Sequence, residues 1–154
     1  MKTIYGDLVE LAKQGKFDVI VHGCNCLCCM GAGIAKQIKK EFPKAYKVDK
    51  GTIPGDSSKL GRITYSSFKR NNGTELIIVN AYTQFSTDSA CQRKDLVEYD
   101  ALRSCFKTIS KMFNDKRIGY PKIGAGLARG DWDKISKIID EELIGLDHTL
   151  VILP

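Results

Sequence analysis

Apolar residues along the chain follow two rhythms, strand-like runs and a three-to-four spacing, and the two alternate almost throughout. Residues 2–5 alternate as a short strand, and 8–14 read as a short helix ended by Gly15. The β-branched run 17–22, bounded by Gly15 and Gly23, predicts a buried strand. A glycine-rich turn follows, then a helix over 33–42 that Pro43 stops. Its Ile34, Ala35, Ile38 and Phe42 share one face, with Lys36, Lys39, Lys40 and Glu41 mostly outside. Residues 50–60, rich in Gly, Pro and Ser, read as a loop. Strands are predicted over 62–68 and 75–81, joined by the Asn71-Asn72-Gly73 turn. The polar stretch 84–94 reads as a mobile segment, and 95–113 as a helix with Leu96, Tyr99, Leu102, Cys105, Phe106, Ile109 and Phe113 on one stripe. A strand over 117–120, a helix over 131–144 between an Asp131 cap and Gly145, and a strand over 149–153 complete the chain.

Strand–helix alternation predicts an α/β fold, a three-layer α/β/α sandwich around a mixed, mostly parallel sheet. The length suits a single domain spanning 1–154. Ligands of such sheets sit beyond the carboxyl ends of the strands, where loops lead into helices. Two loops qualify. One runs from His22 through Cys24, Asn25, Met30, Gly31, Ala32 and Gly33 into the helix at Ile34. The other runs from Tyr120 through Gly124, Ala125, Gly126, Leu127 and Ala128 to Gly130. Glycine lets a backbone approach a ligand, and N–H groups at a helix start suit phosphate oxygens. Two such loops suggest a diphosphate held from both sides. Neither has the dinucleotide spacing, and no Gly-Lys-Ser/Thr follows either, which excludes a P-loop NTPase.

Composition narrows the partner. A 43% hydrophobic, 27% charged chain is globular, and its net charge of +6 favours anions. The lysines are scattered in sequence with no aromatic-interleaved basic stripe, so nucleic acid is the outsider. The chain lacks an apolar run of roughly 18 residues and a signal-peptide core, so no membrane partner is expected and the expected location is the cytoplasm, the host's if the chain is phage-encoded. Four of the six cysteines crowd into 24–29 without a second ligand pair. That pattern suits reduced thiols in a tight loop better than zinc or disulfides, so no metal and no cofactor is expected.

Four motifs in order carry a resemblance: Gly6-Asp7-Leu8, Val19-Ile20-Val21-His22-Gly23-Cys24-Asn25, Met30-Gly31-Ala32-Gly33-Ile34-Ala35 and Pro121-Lys122-Ile123-Gly124-Ala125-Gly126-Leu127. Together they resemble a macrodomain, the ADP-ribose-binding module, over nearly the whole chain. The resemblance implies that Asp7 accepts from the adenine amine beside the Leu8 backbone, and that Asn25 bonds the distal ribose. It implies that Gly31, Ala32, Gly33 and Ile34 form one phosphate-side loop, and Gly124, Ala125, Gly126, Leu127 and Ala128 the other. Read without the resemblance, Asp7 is a helix cap and Asn25 a turn residue satisfying its own backbone. Gln84 and Ala128 stand where the glycohydrolases of the family carry a lysine and an aspartate, and residues 24–35 hold no acid. Both departures argue against de-ADP-ribosylation by those routes, leaving a substrate-assisted one.

His22-x-Cys24-Asn25-Cys26 resembles the family's ADP-ribose 1''-phosphate phosphatases. The leading expectation is therefore hydrolysis of ADP-ribose 1''-phosphate, with His22 and Asn25 as catalytic residues and His22 as acid or base. The alternative is a non-catalytic reader of ADP-ribose or ADP-ribosylated protein. His22 also reads as a satisfied polar group at a strand end. His148 reads as a surface residue, Tyr120 and Trp132 as packing aromatics, and Lys122 and Arg129 as charges flanking the second loop.

Overall fold

A computed structural model of the chain describes residues 1–87, 96–126 and 128–154. The elements run β1 (Lys2–Tyr5), α1 (Leu8–Lys13), β2 (Val19–Asn25), α2 (Gly33–Glu41), α3 (Pro43–Lys50), a 3-10 turn (Ser57–Lys59), β3 (Ile63–Lys69), β4 (Glu75–Gln84), α4 (Tyr99–Met112), β5 (Ile118–Tyr120), α5 (Trp132–Glu142) and β6 (His148–Ile152). Among the described residues the six strands form one sheet in the order β1-β6-β5-β2-β4-β3. All neighbours are parallel except β3 and β4, which the Asn71–Gly73 turn joins as an antiparallel hairpin.

Strand alternation divides the interior into two cores. Val19 and Val21 of β2, Val79 and Ala81 of β4, and Leu150 of β6 pack against Leu102, Phe106 and Ile109 of α4 and Ile135 and Ile139 of α5. Ile20, Leu76, Ile78 and Val151 face the opposite way, onto Leu8, Val9 and Ala12 of α1, Ile38 of α2 and Ala45 of α3. Helices on both sheet faces give the predicted three-layer α/β/α architecture.

The structure adds one helix that the sequence pattern does not announce. Pro43 ends α2 and also opens α3, at a helix start where its missing N–H costs nothing. β2 and β4 run on to Asn25 and Gln84, past the predicted ends at residues 22 and 81. α4 starts at Tyr99, because Leu96 and Val97 are drawn into loop pairing: Val97 bridges Gln84, and Leu96 N donates to Ala128 O at 2.9 Å. The stretch expected to be mobile lies partly outside the described residues, from 88 on.

One buried cation ties the lower edge of the sheet. Arg70, 5% exposed, donates through Nε to Ala12 O at 2.9 Å, through Nη1 to Thr74 Oγ1 at 3.1 Å and Glu75 O at 3.3 Å, and through Nη2 to Phe17 O. It thereby satisfies carbonyls at the end of α1 and the approach to β2. Arg70→Leu should destabilise the fold by about 2–3 kcal/mol, since these carbonyls lose charged donors. Urea unfolding of the variant checks the value, and unchanged stability would remove Arg70 from this role.

Candidate functional site

β2 lies between β4 and β5: β4 pairs with it from Val19 to Asn25, with an irregularity between Cys24 and Asn25, and β5 pairs with it at Val19 and Ile20. Side chains then alternate without freedom. Gly23 and Asn25 continue the Val19–Val21 side and emerge on the wall of a cleft, while His22 continues the Ile20 side. The cleft holds about 670 Å³, within the range of small-molecule sites. Gly31, Ala32, Gly33 and Ile34 form one wall. Gly124, Gly126 and Ala128 form the facing one, with Gln84 also on the lining.

The glycines of these walls do different jobs. A Cβ at Gly31, Gly33 or Gly126 would meet no protein atom within 4 Å. These positions present bare backbone to the cleft. Gly130 is packed instead: its Cβ would fall 2.5 Å from Val97 Cγ1 and 2.6 Å from Gly124 O. Its own N–H donates to that same oxygen at 2.6 Å and closes the second loop. The first loop runs straight into α2, whose cap residue Ala32 offers no side-chain acceptor to the first-turn N–H groups.

Asn25 is 8% exposed and commits its amide to the loop. Oδ1 accepts from Leu27 N at 2.9 Å and Cys29 N at 3.3 Å, and Nδ2 donates to Cys29 O at 2.9 Å. It is thus the self-satisfying turn residue as well as a cleft residue. Asp7 caps α1 by accepting from Glu10 N at 3.1 Å, and both its oxygens accept from Gln37 Nε2 of α2 at 3.2 Å. It stands off the cleft lining, half-exposed, and Leu8 beside it is buried. Ala125 packs against the α4–α5 core instead of the cleft, and Leu127 lies outside the described residues. Lys122 lines the cleft, Tyr120 is core and Trp132 packs against it. The sequence reading gave no site role to Gly23, Cys29, Ala35, Thr87, Pro121 or Ile123, which also line the cleft. Strand parity would have found Gly23, two positions before Asn25.

The catalytic reading of His22 and the surface reading of His148 need correcting, while the reading of His22 as a satisfied polar group agrees with the structure. His22 does not reach the cleft. It is fully buried, with Nε2 2.7 Å from Asn80 Oδ1 and 3.5 Å from Cys24 Sγ. Asn80 lies opposite it in the sheet register and donates on to Ala45 O of α3 at 3.0 Å. The odd separation of residues 22 and 25 on one strand puts their side chains on opposite faces. Burial lowers the His22 pKa from 6.5 to about 4, against the raising effect of the Asn80 bond, so it does not titrate near neutrality. His148 is no surface residue either. β6 starts one residue earlier than predicted, and His148 shares the parity of Leu150. It is 8% exposed, stacks on the Tyr120 ring and shares a 2.7 Å hydrogen bond between Nδ1 and Tyr120 Oη. Among the described residues no Asp, Glu or His lines the cleft.

Two facing glycine loops beyond the carboxyl edge of a covered parallel sheet make a cleft whose shape and backbone donors suit an elongated, phosphate-bearing small molecule. A family model for the Macro domain matches residues 21–139, and the chain belongs to that family. It is 40% identical to an uncharacterized 17.5 kDa protein of the tk-vs intergenic region of Enterobacteria phage T4, over 98% of this chain and 95% of that protein. It is 30% identical to the ADP-ribose 1''-phosphate phosphatase of Meyerozyma guilliermondii, over 94% of each chain. The fold matches the macrodomain of Thermus aquaticus DarG with a TM-score of 0.71 at 22% identity, over 99% of this chain and 97% of that one.

The buried histidine makes stability depend on pH. His22 is neutral in the fold down to about pH 4, whereas the unfolded chain takes up its proton near 6.5. Stability therefore falls with pH across that window, and His22 accounts for about 3 kcal/mol of the loss. Urea unfolding between pH 7 and 4 should show a flatter dependence in His22→Gln than in wild type. Equal slopes would mean that His22 is solvated.

Proposed function

We propose that the cleft binds ADP-ribose and that the protein removes the phosphate of ADP-ribose 1''-phosphate. The observation that carries the binding is the bare backbone at Gly31, Gly33 and Gly126 on walls facing one cleft. A diphosphate fits between them, because loop N–H groups and the start of α2 supply donors and partial positive charge. The distal ribose then lies at Asn25 and Gln84. Adenine lies toward Asp7, whose position Gln37 fixes from α2.

The phosphatase activity rests on the Meyerozyma relative, named for that reaction and alike over nearly its whole length. In this hydrolysis water adds to phosphorus, the bond from phosphorus to O1'' breaks, and O1'' leaves with a proton. His22 cannot supply or take that proton from beneath the sheet. The chain's contribution is to orient the monoester and to stabilise charge with preorganised backbone donors, the kind of term that outweighs others in many sites. Lys122 on the cleft wall adds positive charge near the phosphates.

A second reading, binding of ADP-ribose or an ADP-ribosylated protein without turnover, is favoured by one observation. The described cleft lining carries neither carboxylate nor imidazole. Calorimetry with ADP-ribose and phosphate release from ADP-ribose 1''-phosphate separate the two. Binding with release is expected; binding without release selects the second reading; no binding overturns both. Gly126→Val should weaken ADP-ribose binding by at least about tenfold, or about 1.4 kcal/mol, with an unchanged melting temperature. A Cβ there would enter open space on the cleft lining.

A further inference from the structure

We propose that Cys28 and Lys59 are a site of oxidative modification, in which one oxygen atom bridges Cys28 Sγ and Lys59 Nζ. The proposal is independent of what the cleft binds. Lys59, at the end of the 3-10 turn, is only 7% exposed. Lysines are almost never buried without a partner charge. Here no carboxylate among the described residues forms an ion pair with it. The Asp49 and Asp56 carboxylates feel its charge without pairing with it, and Asp49 accepts from Tyr82 Oη at 2.8 Å. Lys59 Nζ donates to Thr52 Oγ1 at 2.8 Å, sits 5.4 Å from the Tyr82 ring centre, and lies 3.6 Å from Cys28 Sγ.

The sulfur is held as firmly as the amine. Cys28 has φ +60, a left-handed conformation that costs a side-chain-bearing residue energy and persists only where surroundings impose it. Its Sγ is 3.2 Å from Asp49 O, to which it donates, and 3.3 Å from Thr52 Oγ1. Thiol and amine are thus aimed at each other through a shared threonine. The other cysteines of the run differ. Cys24 and Cys26 pack in an apolar cluster with Met30 and Tyr82, where burial pushes their thiols up in pKa, and Cys29 is exposed on the cleft.

The bridge forms with two equivalents of a peroxide. The first oxidises Sγ to a sulfenic acid: a sulfur–oxygen bond forms, the peroxide bond breaks, and one water leaves. The second reacts at Nζ once its ammonium has given a proton to solvent, and takes one hydrogen from that amine and one from the sulfenic oxygen. A nitrogen–oxygen bond forms and two more waters leave. Four electrons pass from the pair to the two peroxides, and the chain gains one oxygen and loses two hydrogens. Two equivalents of a dithiol reductant return the four electrons, the bridging oxygen leaves as water, and amine and thiol are restored. The bridge ties the first cleft loop, which carries Asn25 and Cys29, to the 3-10 turn.

The test treats the full chain, purified under reductant, with hydrogen peroxide and reads intact mass and proteolytic peptides. The expected product is heavier by one oxygen less two hydrogens, contains a peptide joining Cys28 to Lys59, and reverts with dithiothreitol. Cys28→Ser and Lys59→Arg should each abolish it, and Cys29→Ser should retain it. The wild-type crosslinked peptide stands as a readout even if a variant folds poorly. Oxygen uptake at Cys29 alone, a disulfide within the run, or no change in mass would overturn the proposal.

Discussion

The backbone ladders that hold β2 between β4 and β5 are the constraint on which the rest of the structure depends. β4 pairs with β2 in one register from Val19 to Cys24, β5 holds its other edge at Val19 and Ile20, and both faces are covered, so the side chains over that stretch have one alternation. A slip of a single residue would exchange every face. That alternation sends Val19 and Val21 into the α4–α5 core, Ile20 into the α1–α3 core, and Gly23 and Asn25 to the cleft. It also traps His22 beneath α3, against Asn80.

The cleft consequently depends on backbone more than on side chains. Its walls come close where glycines leave space, and its polar groups include loop amides, Asn25, Gln84, Thr87 and Lys122. Such a site suits an elongated anion, met by shape and by many weakly charged donors fixed in advance. The stretch that matches the Macro domain model, residues 21–139, takes in both loops.

The cysteine run shows how strongly local placement divides residues of one type. Within six positions, Cys24 and Cys26 join an apolar cluster, Cys28 meets the buried Lys59, and Cys29 reaches the cleft. The neutral histidines follow the same logic. Each has one buried oxygen partner, and burial lowers the pKa of both. Imidazoles in such places hold the fold together and leave proton transfer to others.

Most of the architecture was legible in the sequence by itself. Hydrophobic period separates strands from helices, and the strand–helix alternation implies a covered, mostly parallel sheet. The glycine motifs also located both cleft walls, since glycine is the residue that lets backbone face a ligand. What the sequence could not show was which way individual polar side chains turn. Pro43 reads as a stop, yet it starts α3, and Ala45 of that helix accepts from Asn80 above His22. His148 follows a turn-like stretch, yet the strand takes it in because Tyr120 of β5 offers it a partner across the sheet. Cys28 and Lys59 are 31 residues apart and meet only because the first cleft loop and the 3-10 turn fold together. Periodicity is a property of neighbours along the chain, and it survives in the sequence. A polar group's burial depends on partners brought from distant strands, and only the tertiary structure decided those.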